Sequence, residues 1–543
     1  MKIFIFVIAL YLFGFSLGFT QTQLGKPKLV VGIVIDQMRY DNLYRYWHNY
    51  SEKGFKKLVN QGFSFENTFY NYVPTYTGPG HATIYSGTTP KMHGIVANDW
   101  YDIHQKKQVY CSEDPEVQTI GSNTNAGKMS PKNLLTPNIC DHLKFSTNFR
   151  SKVIGVALKD RSAIMPAGHS ADAAFWFDRK EGVFISSSYY LKELPNWLVQ
   201  FNNKKIPDSL MKLTWNLSLP IEKYHQSSKD ENTFEGKLPE ETSTSFPHKL
   251  NPHKKGKYET IVYTPYGNEL TTFLAIAAIE GEKLGKNPHG VTDMLCISYS
   301  STDYVGHVFG PNSLETEDTY IRMDKTLGDL LDYLEKNIGK DNFLLFLTAD
   351  HGVAPIPDFV QQYRFSAGHF DYQTYEKNLR TFLKEKYNED FLITYLNQNV
   401  YLDEPKIHAK GLSVAEVEKE IVLWSLNFPN VHSAINKHNL IFNEYREFPF
   451  ANVQKGFYPQ RSGNVILVYK PNYFDDEYGK TGTTHGACYT YDSQVPLLFY
   501  GAGIPKGKSF EEVHITDLAP TVASLIKINK PASSIGKCLK FTD

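Results

Sequence analysis

Uninterrupted runs of branched and aromatic apolar residues recur along the chain, each closing on polar residues. The clearest are 28–36 (KLVVGIVID), 153–158 (VIGVAL), 294–299 (MLCISY), 343–347 (FLLFL) and 495–500 (VPLLFY). A strand that is apolar on both faces belongs to a sheet covered on both sides, which is the habit of parallel sheets. Between the runs lie segments with helical apolar spacing, notably 268–284, with Asn268 placed to cap it, and 316–336. Strands alternating with such helices predict an α/β fold with a mostly parallel central sheet flanked by helices. Ligands of these folds gather at the carboxyl ends of the strands. There the sequence reads Asp36, then Lys159-Asp160-Arg161, Ser300-Ser301-Thr302-Asp303 and Asp350-His351.

Two regions depart from the rhythm. Residues 185–260 are polar and rich in Pro, Ser, Lys and Glu, and predict an excursion over the surface. Residues 365–470 hold strand-like runs at 391–396 and 465–470. They also hold a helix that starts at Ser413 with Glu416 three residues on, a capping-box spacing. Val414, Val417, Ile421 and Trp424 share one face of that helix, which is core spacing. A small α+β insert is expected there, and the whole of 21–543 is expected to be one catalytic domain carrying the two insertions.

The first residues change the picture of where the protein works. Met1-Lys2 precedes an almost wholly apolar run to residue 19 with small residues near its end, the pattern of a cleavable secretory signal over 1–20. No Cys follows the run and no later segment is long and apolar enough to span a bilayer, so an exported chain without stable membrane association is expected. With 57 basic against 58 acidic residues the formal charge is −1, which leaves no electrostatic footprint for nucleic acid and points to small partners. Five cysteines, none in a Cys-x-x-Cys pair, exclude a disulfide scaffold and a thiolate metal centre.

Candidate chemistry begins at residues 74–83 (PTYTGPGHAT), where Thr77 stands on a Gly-Pro-Gly turn with a helix expected behind it. A hydroxyl there would sit near outward-pointing helix N–H groups, which suits anion chemistry. Asp303 and His307 are four residues apart, so one helical turn would aim both at one point, as a metal pair requires. With Asp36, Asp350, His351 and His485 they make six carboxylate and imidazole ligands, nearly all at strand ends of one sheet. Such a set without thiolate suits a pair of Zn²⁺ ions in open sites. Two metals about 4 Å apart can clamp the attacking and leaving oxygens of an in-line phosphoryl displacement.

The motifs VGIVIDQMRYD, PTYTGPGHATIYSG, KMHGIVANDW, VALKDRSAIMPAGH, SSTDYVGH, TADHG and GTTHG, in this order, span nearly the whole chain after residue 20. In them the sequence resembles the alkaline phosphatase superfamily, most closely the periplasmic phosphate-irrepressible alkaline phosphatases with a Thr nucleophile. The resemblance implies that Asp36, Asp350, His351 and Thr77 surround one zinc and Asp303, His307 and His485 the other. It also implies that Thr77 attacks phosphorus to give a phosphothreonine with inversion. Asn98 matches the position that donates to a phosphoryl oxygen.

Lys159 and Arg161 bear on the substrate class. A phosphate monoester carries two negative charges and three non-bridging oxygens where a diester carries one charge and a second ester group, and these cations suit the former. Hydrolysis of small-molecule phosphate monoesters of broad specificity by an exported, periplasmic monomer is therefore expected. A nucleotide pyrophosphatase/phosphodiesterase is the enzyme alternative, and an exported anion-binding protein with a degenerate site is the non-enzyme one. Two further histidines, His81 and His169, are read as supporting the turn and as packing or hydrogen bonding, not as ligands.

Overall fold

The computed structural model describes residues 25–475 and 481–542; the expected signal segment, 1–20, lies outside them. A ten-stranded sheet forms the centre. In chain order its strands are β1 (Leu29–Ile35), β2 (Phe63–Phe69), β3 (Thr119–Ile120), β4 (Val153–Ala157) and β5 (Ala173–Asp178). β6 (Val183–Ser187), β7 (Asp293–Tyr299), β8 (Phe343–Thr348), β9 (Gln494–Gly501) and β10 (Gly507–His514) complete it. They lie in the order β10-β2-β9-β8-β1-β7-β4-β5-β6-β3. β5, β4, β7, β1 and β8 are mutually parallel, and β9 and β6 run against the rest.

Every residue of β1, β7 and β8 is buried, as strands covered on both faces must be. Their register is direct: Ile33 pairs with Ile297 on one side and Leu347 on the other. Neighbouring parallel strands therefore end on one edge, and the residues just past their ends are forced together. Asp36 comes after β1, Asp350 after β8, Asp303 after β7, and Lys159 after β4.

The helices that matter to this edge are α1 (Thr77–Ser86), α2 (Asp160–Ala167), α3 (Tyr266–Glu282), α4 (Ser301–Phe309) and α5 (Leu314–Asn337). α1 begins at Thr77 itself, so the Gly-Pro-Gly after it is the helix's first turn and not a separate loop. A proline is tolerated there because first-turn N–H groups have no partner within the helix. α3 starts two residues before Asn268, behind Pro265. Asn268 does not cap it; its Oδ1 accepts the Ser301 N–H at 3.1 Å and ties α3 to the start of α4. Ser313 does cap α5, accepting the Thr316 N–H.

The polar stretch 185–260 is more than a surface excursion. It starts inside β6, carries short helices at Asn196–Asn203 and Ile206–Leu210, and pairs Thr214–Trp215 with His248–Lys249. Trp215 and His248 are fully buried, and the Trp215 Nε1–H donates to Asp318 of α5 at 2.7 Å. Polar composition conceals this anchoring because His248 is buried between the Glu241 and Glu315 carboxylates.

The insert is α+β. The strands Leu392–Leu396, Asn399–Leu402, Val465–Tyr469 and Val431–Asn436 form a four-stranded sheet, packed on Tyr372–Tyr387 and Val414–Ser425 around a core of its own. Ser413 stands at the start of the second helix but makes no side-chain capping bond, so the expected capping box is not formed. No disulfide joins any of the five cysteines. Among the described residues no helix is long and apolar enough to cross a membrane.

Candidate active site

At the carboxyl edge of the sheet, the donor atoms of Asp36, Asp350 and His351 lie within 4.8 Å of one another, and so do those of Asp303, His351 and His485. His307 joins the second group through α4, which turns it onto Asp303 with Nε2 3.1 Å from Oδ1. Thr77, at the start of α1, has Oγ1 3.4 Å from His351 Nε2. His351 Nε2 also lies 3.6 Å from Asp36 Oδ1 and 3.4 Å from Asp350 Oδ2. The His351 and His485 rings stack at 3.5 Å. All seven side chains read from the sequence as metal-ligating thus meet in one place.

The donor set fits cations on three counts. The Nδ1 atoms of His307, His351 and His485 lie 2.8, 2.9 and 2.7 Å from the backbone carbonyls of Thr483, Gly352 and Thr75. A carbonyl only accepts, so each Nδ1 carries a proton and each Nε2 would be left to give its lone pair to a bound cation, the arrangement that fixes metal-ligating imidazoles. Asp36 Oδ1 and Asp350 Oδ2 are buried and accept no hydrogen bond. Finally, three buried carboxylates face a single ammonium, so the pocket lacks positive charge.

This crowding sets the electrostatics. Burial, with Asp303 and Asp350 adding to it, pushes the Asp36 carboxyl well above the usual range. Burial also opposes ionisation of Asp303, but His307 and Lys159 outweigh it and hold that carboxyl well below its ordinary value. Burial lowers His351, and burial with the neighbouring His351 and His307 holds His485 well below the imidazole range, which keeps both rings neutral and able to ligate.

Lys159 stands between the two donor groups, its Nζ 2.7 Å from Asp36 Oδ2 and 2.6 Å from Asp303 Oδ2. Its ammonium also lies 4.8 Å from the centre of the Tyr304 ring. Arg161, one residue into α2, donates from Nη1 to Tyr110 Oη at 3.0 Å and keeps a buried Nε without a partner. Asn98 accepts the Gly78 N–H on Oδ1 at 2.8 Å, which leaves its NH₂ group to give. That bond also occupies a helix-end N–H that the sequence suggested for an anion. Thr77, Asn98, Lys159 and Arg161 line one cleft of about 510 Å³, whose outer wall includes Lys237 from the 185–260 segment and Tyr372, Tyr395 and Asn397 from the insert.

Sequence reasoning missed Gln37. It sits at φ 66°, in the left-handed region that a side chain rarely adopts. From there its N–H donates to Asp350 Oδ1 at 3.1 Å and its Nε2 to Asp303 Oδ1 at 2.8 Å, so one residue orients a carboxylate of each group. Only its position after Asp36 could have flagged it. His81 does support the helix start: Nδ1 is 2.9 Å from the Thr77 carbonyl and 3.3 Å from Asp350 Oδ2. His169 lies away from the cluster, with Nε2 on the Leu134 carbonyl at 2.9 Å.

The type I phosphodiesterase / nucleotide pyrophosphatase family model matches residues 30–488, a span that runs from β1 to just past His485 and contains every donor named above. The chain belongs to this family. Within it, the chain is 43% identical over 518 residues to the alkaline phosphatase PafA of Elizabethkingia meningoseptica, covering 94% of each chain. A crystal structure of wild-type PafA superposes with a TM-score of 0.91, covering 95% of this chain and 98% of that one. A Myroides odoratus protein described as a calcium-transporting ATPase is 43% identical over 516 residues, 95% of this chain and 94% of that protein. This member of the family therefore has the alkaline phosphatase-like fold throughout its described length.

Proposed function

We propose that the protein is an exported alkaline phosphatase that hydrolyses phosphate monoesters through a phosphothreonine at Thr77. The observation that carries the reading is the position of Thr77 Oγ1, 3.4 Å from His351 Nε2 at the meeting of the two donor groups. Asp36, Asp350 and His351 would hold one zinc and Asp303, His307 and His485 the other. When bound, the ions supply the charge that makes a Thr hydroxyl nucleophilic near neutral pH and that neutralises developing oxyanions.

The chain's own residues do the rest. Thr77 Oγ1, fixed at the first turn of α1, forms its bond to phosphorus as the bond to the departing alcohol breaks on the opposite side. Asn98, its Oδ1 anchored on Gly78, gives its NH₂ group to a phosphoryl oxygen. Lys159 and Arg161 meet the remaining charge of a dianion. Water then restores Thr77 and releases inorganic phosphate. The outer cleft is wide and lined by mixed groups, tyrosines and amides with the Lys237 ammonium, so recognition concentrates on the phosphoryl group and many alcohols are accepted. A nucleoside triphosphate ends in the same kind of phosphoryl group, so ATP hydrolysis by a relative needs no different site.

The test uses zinc-loaded protein and p-nitrophenyl phosphate. A chelator should abolish turnover and added Zn²⁺ restore it, and Thr77→Ala should remove nearly all activity while retaining its zinc. Near-normal turnover by Thr77→Ala sinks the nucleophile assignment. Export through residues 1–20 to the periplasm and a monomeric state belong to the same proposal. N-terminal sequencing of the secreted chain and its mass in solution check them.

A further inference from the structure

Arg161 reaches the cleft with little to hold it. Among the described residues, its guanidinium makes one hydrogen bond, from Nη1 to Tyr110 Oη at 3.0 Å, and its Nε is buried without a partner. A long side chain tied at so few points loses rotamer freedom when it meets a ligand, unless that freedom has been removed beforehand. Whatever fixes Tyr110 therefore fixes Arg161.

The Tyr110 hydroxyl lies 2.5 Å from Asp160 Oδ1, an oxygen that also accepts the Ser112 hydroxyl at 3.1 Å and the Arg161 backbone N–H. A carboxylate only accepts and a guanidinium only donates, so the single phenolic proton goes to Asp160 and an oxygen lone pair faces Arg161. The direction of the bonds, from Arg161 to Tyr110 to Asp160, is thereby decided. Asp160 and Arg161 are neighbours at the start of α2, and the tyrosine that joins their side chains arrives from a separate element.

That element is a hairpin of Asp99–Asp102 on Lys107–Tyr110, in which Asp99 stands opposite Tyr110. Asn98 directly precedes it, and the Cys111 N–H, just past Tyr110, donates to the Asn98 carbonyl at 2.8 Å. Through Oδ1, Asn98 accepts the Gly78 N–H behind Thr77. The approach is close: a Cβ on Gly78 would stand 3.1 Å from Cys111 Sγ and 3.2 Å from Asn98 Oδ1. One end of one hairpin therefore bears on Asn98, on Arg161 and on the first turn of α1.

We propose that Tyr110 is a positioning residue of the phosphoryl site: its hydroxyl, turned by Asp160, holds Arg161 at Nη1 and sets the guanidinium relative to Asn98 before substrate arrives. The inference rests on the reading of Arg161 as a ligand of the phosphoryl group. Arg161 and Asn98 line the cleft and Tyr110 does not, so the tyrosine acts through Arg161 and not on the substrate. Preorganisation of this kind matters most where the donor must meet charge that a dianion brings and a diester lacks.

The experiment is a double-mutant cycle on zinc-loaded protein, with Tyr110→Phe, Arg161→Ala and both together, read as kcat/KM for p-nitrophenyl phosphate and for methyl p-nitrophenyl phosphate. Phe keeps the ring and removes only the hydroxyl. Tyr110→Phe should lower the monoester value by about ten- to hundredfold, the cost of a misplaced group, and the diester value far less. In the Arg161→Ala background the same substitution should cost almost nothing, because the group it positions is gone. Wild-type rates in Tyr110→Phe overturn the proposal. So does an equal loss on both substrates, or a loss that persists in full without Arg161, since either makes the tyrosine a packing residue. A wild type without monoester turnover fails the phosphatase reading itself, and the inference falls with it. Zinc content and a cooperative melt are measured for each variant. Should Tyr110→Phe fail either, Asp160→Ala, which removes the acceptor that turns the hydroxyl, goes through the same cycle with the same outcomes.

Discussion

Replacing both Lys159 and Arg161 by Ala separates a phosphoryl site built for dianions from one that would take diesters equally well. The Lys159 ammonium is 2% exposed and bridges Asp36 and Asp303 at 2.7 and 2.6 Å. Arg161 brings a buried Nε with no partner to the same cleft. Removing one such preorganised charged donor costs about 3–4 kcal/mol in the transition state, a factor of about 10²–10³. The two cations act on one phosphoryl group, so their losses will not simply multiply. A combined loss of about 10³–10⁴ is expected for a monoester. A diester has one charge fewer and a second ester group where an oxygen would be, so its loss should stay near tenfold.

The assay is kcat/KM for p-nitrophenyl phosphate and for methyl p-nitrophenyl phosphate, which share a leaving group. Zinc content must be measured alongside, since losing Lys159 leaves Asp36 and Asp303 without their counter-charge and alters metal affinity. That change acts on both substrates and cancels in their ratio. Equal losses on the two substrates would refute the reasoning: the cations would then be holding the carboxylates, not the substrate.

Gly80→Ala should damage the site without removing a polar group, because a Cβ there would meet the Asp350 carbonyl at 2.4 Å. Overpacking of this kind costs about 1–3 kcal/mol, read as a lower denaturant midpoint and a reduced zinc content. His93→Gln tests a buried neutral histidine, whose folded value burial lowers to about 3 from 6.5. Below about pH 6.5 only the unfolded chain takes up this proton, so the wild type should lose up to about 1.4 kcal/mol per pH unit toward pH 3. The variant, compared by urea unfolding of chelated protein, should have a shallower slope. His351→Ala should lower zinc occupancy at both donor groups and His307→Ala at one, measured by metal analysis after gel filtration; equal occupancies would refute the shared role of His351.

What the sequence could reveal was set by the range of each interaction. β1, β7 and β8 were legible because burial on both faces leaves an unbroken apolar run, and the residues at their ends were legible because parallel strands finish together. The Asp303–His307 pair was legible because helical geometry alone fixes that spacing. Asn268 and Ser413 carried capping spacings that local rules favour, yet Asn268 is engaged by Ser301 on another helix and Ser413 makes no such bond. The 185–260 segment looked solvated because its Glu and His residues are hydrophilic one at a time; only packing shows that His248 neutralises part of that charge in the interior. Gln37 had no signal, since its role depends on two strands that arrive more than 250 residues later.

The division of the donors is the deepest case. Sequence similarity sorts seven side chains into two sets and puts His351 in one of them. In the folded chain its Nε2 lies within reach of Asp36, Asp350 and Thr77, and its ring stacks on His485 from the other set. A histidine shared by position in this way couples the two groups: moving it to satisfy one withdraws it from the other. Thr77 Oγ1 lies 3.4 Å from the Nε2 of that same ring, whose Nδ1 is held by the Gly352 carbonyl next along the chain. The TADHG motif thus places two donor side chains side by side, with the Gly352 carbonyl aiming the His351 ring and the Gln37 N–H orienting the Asp350 carboxylate.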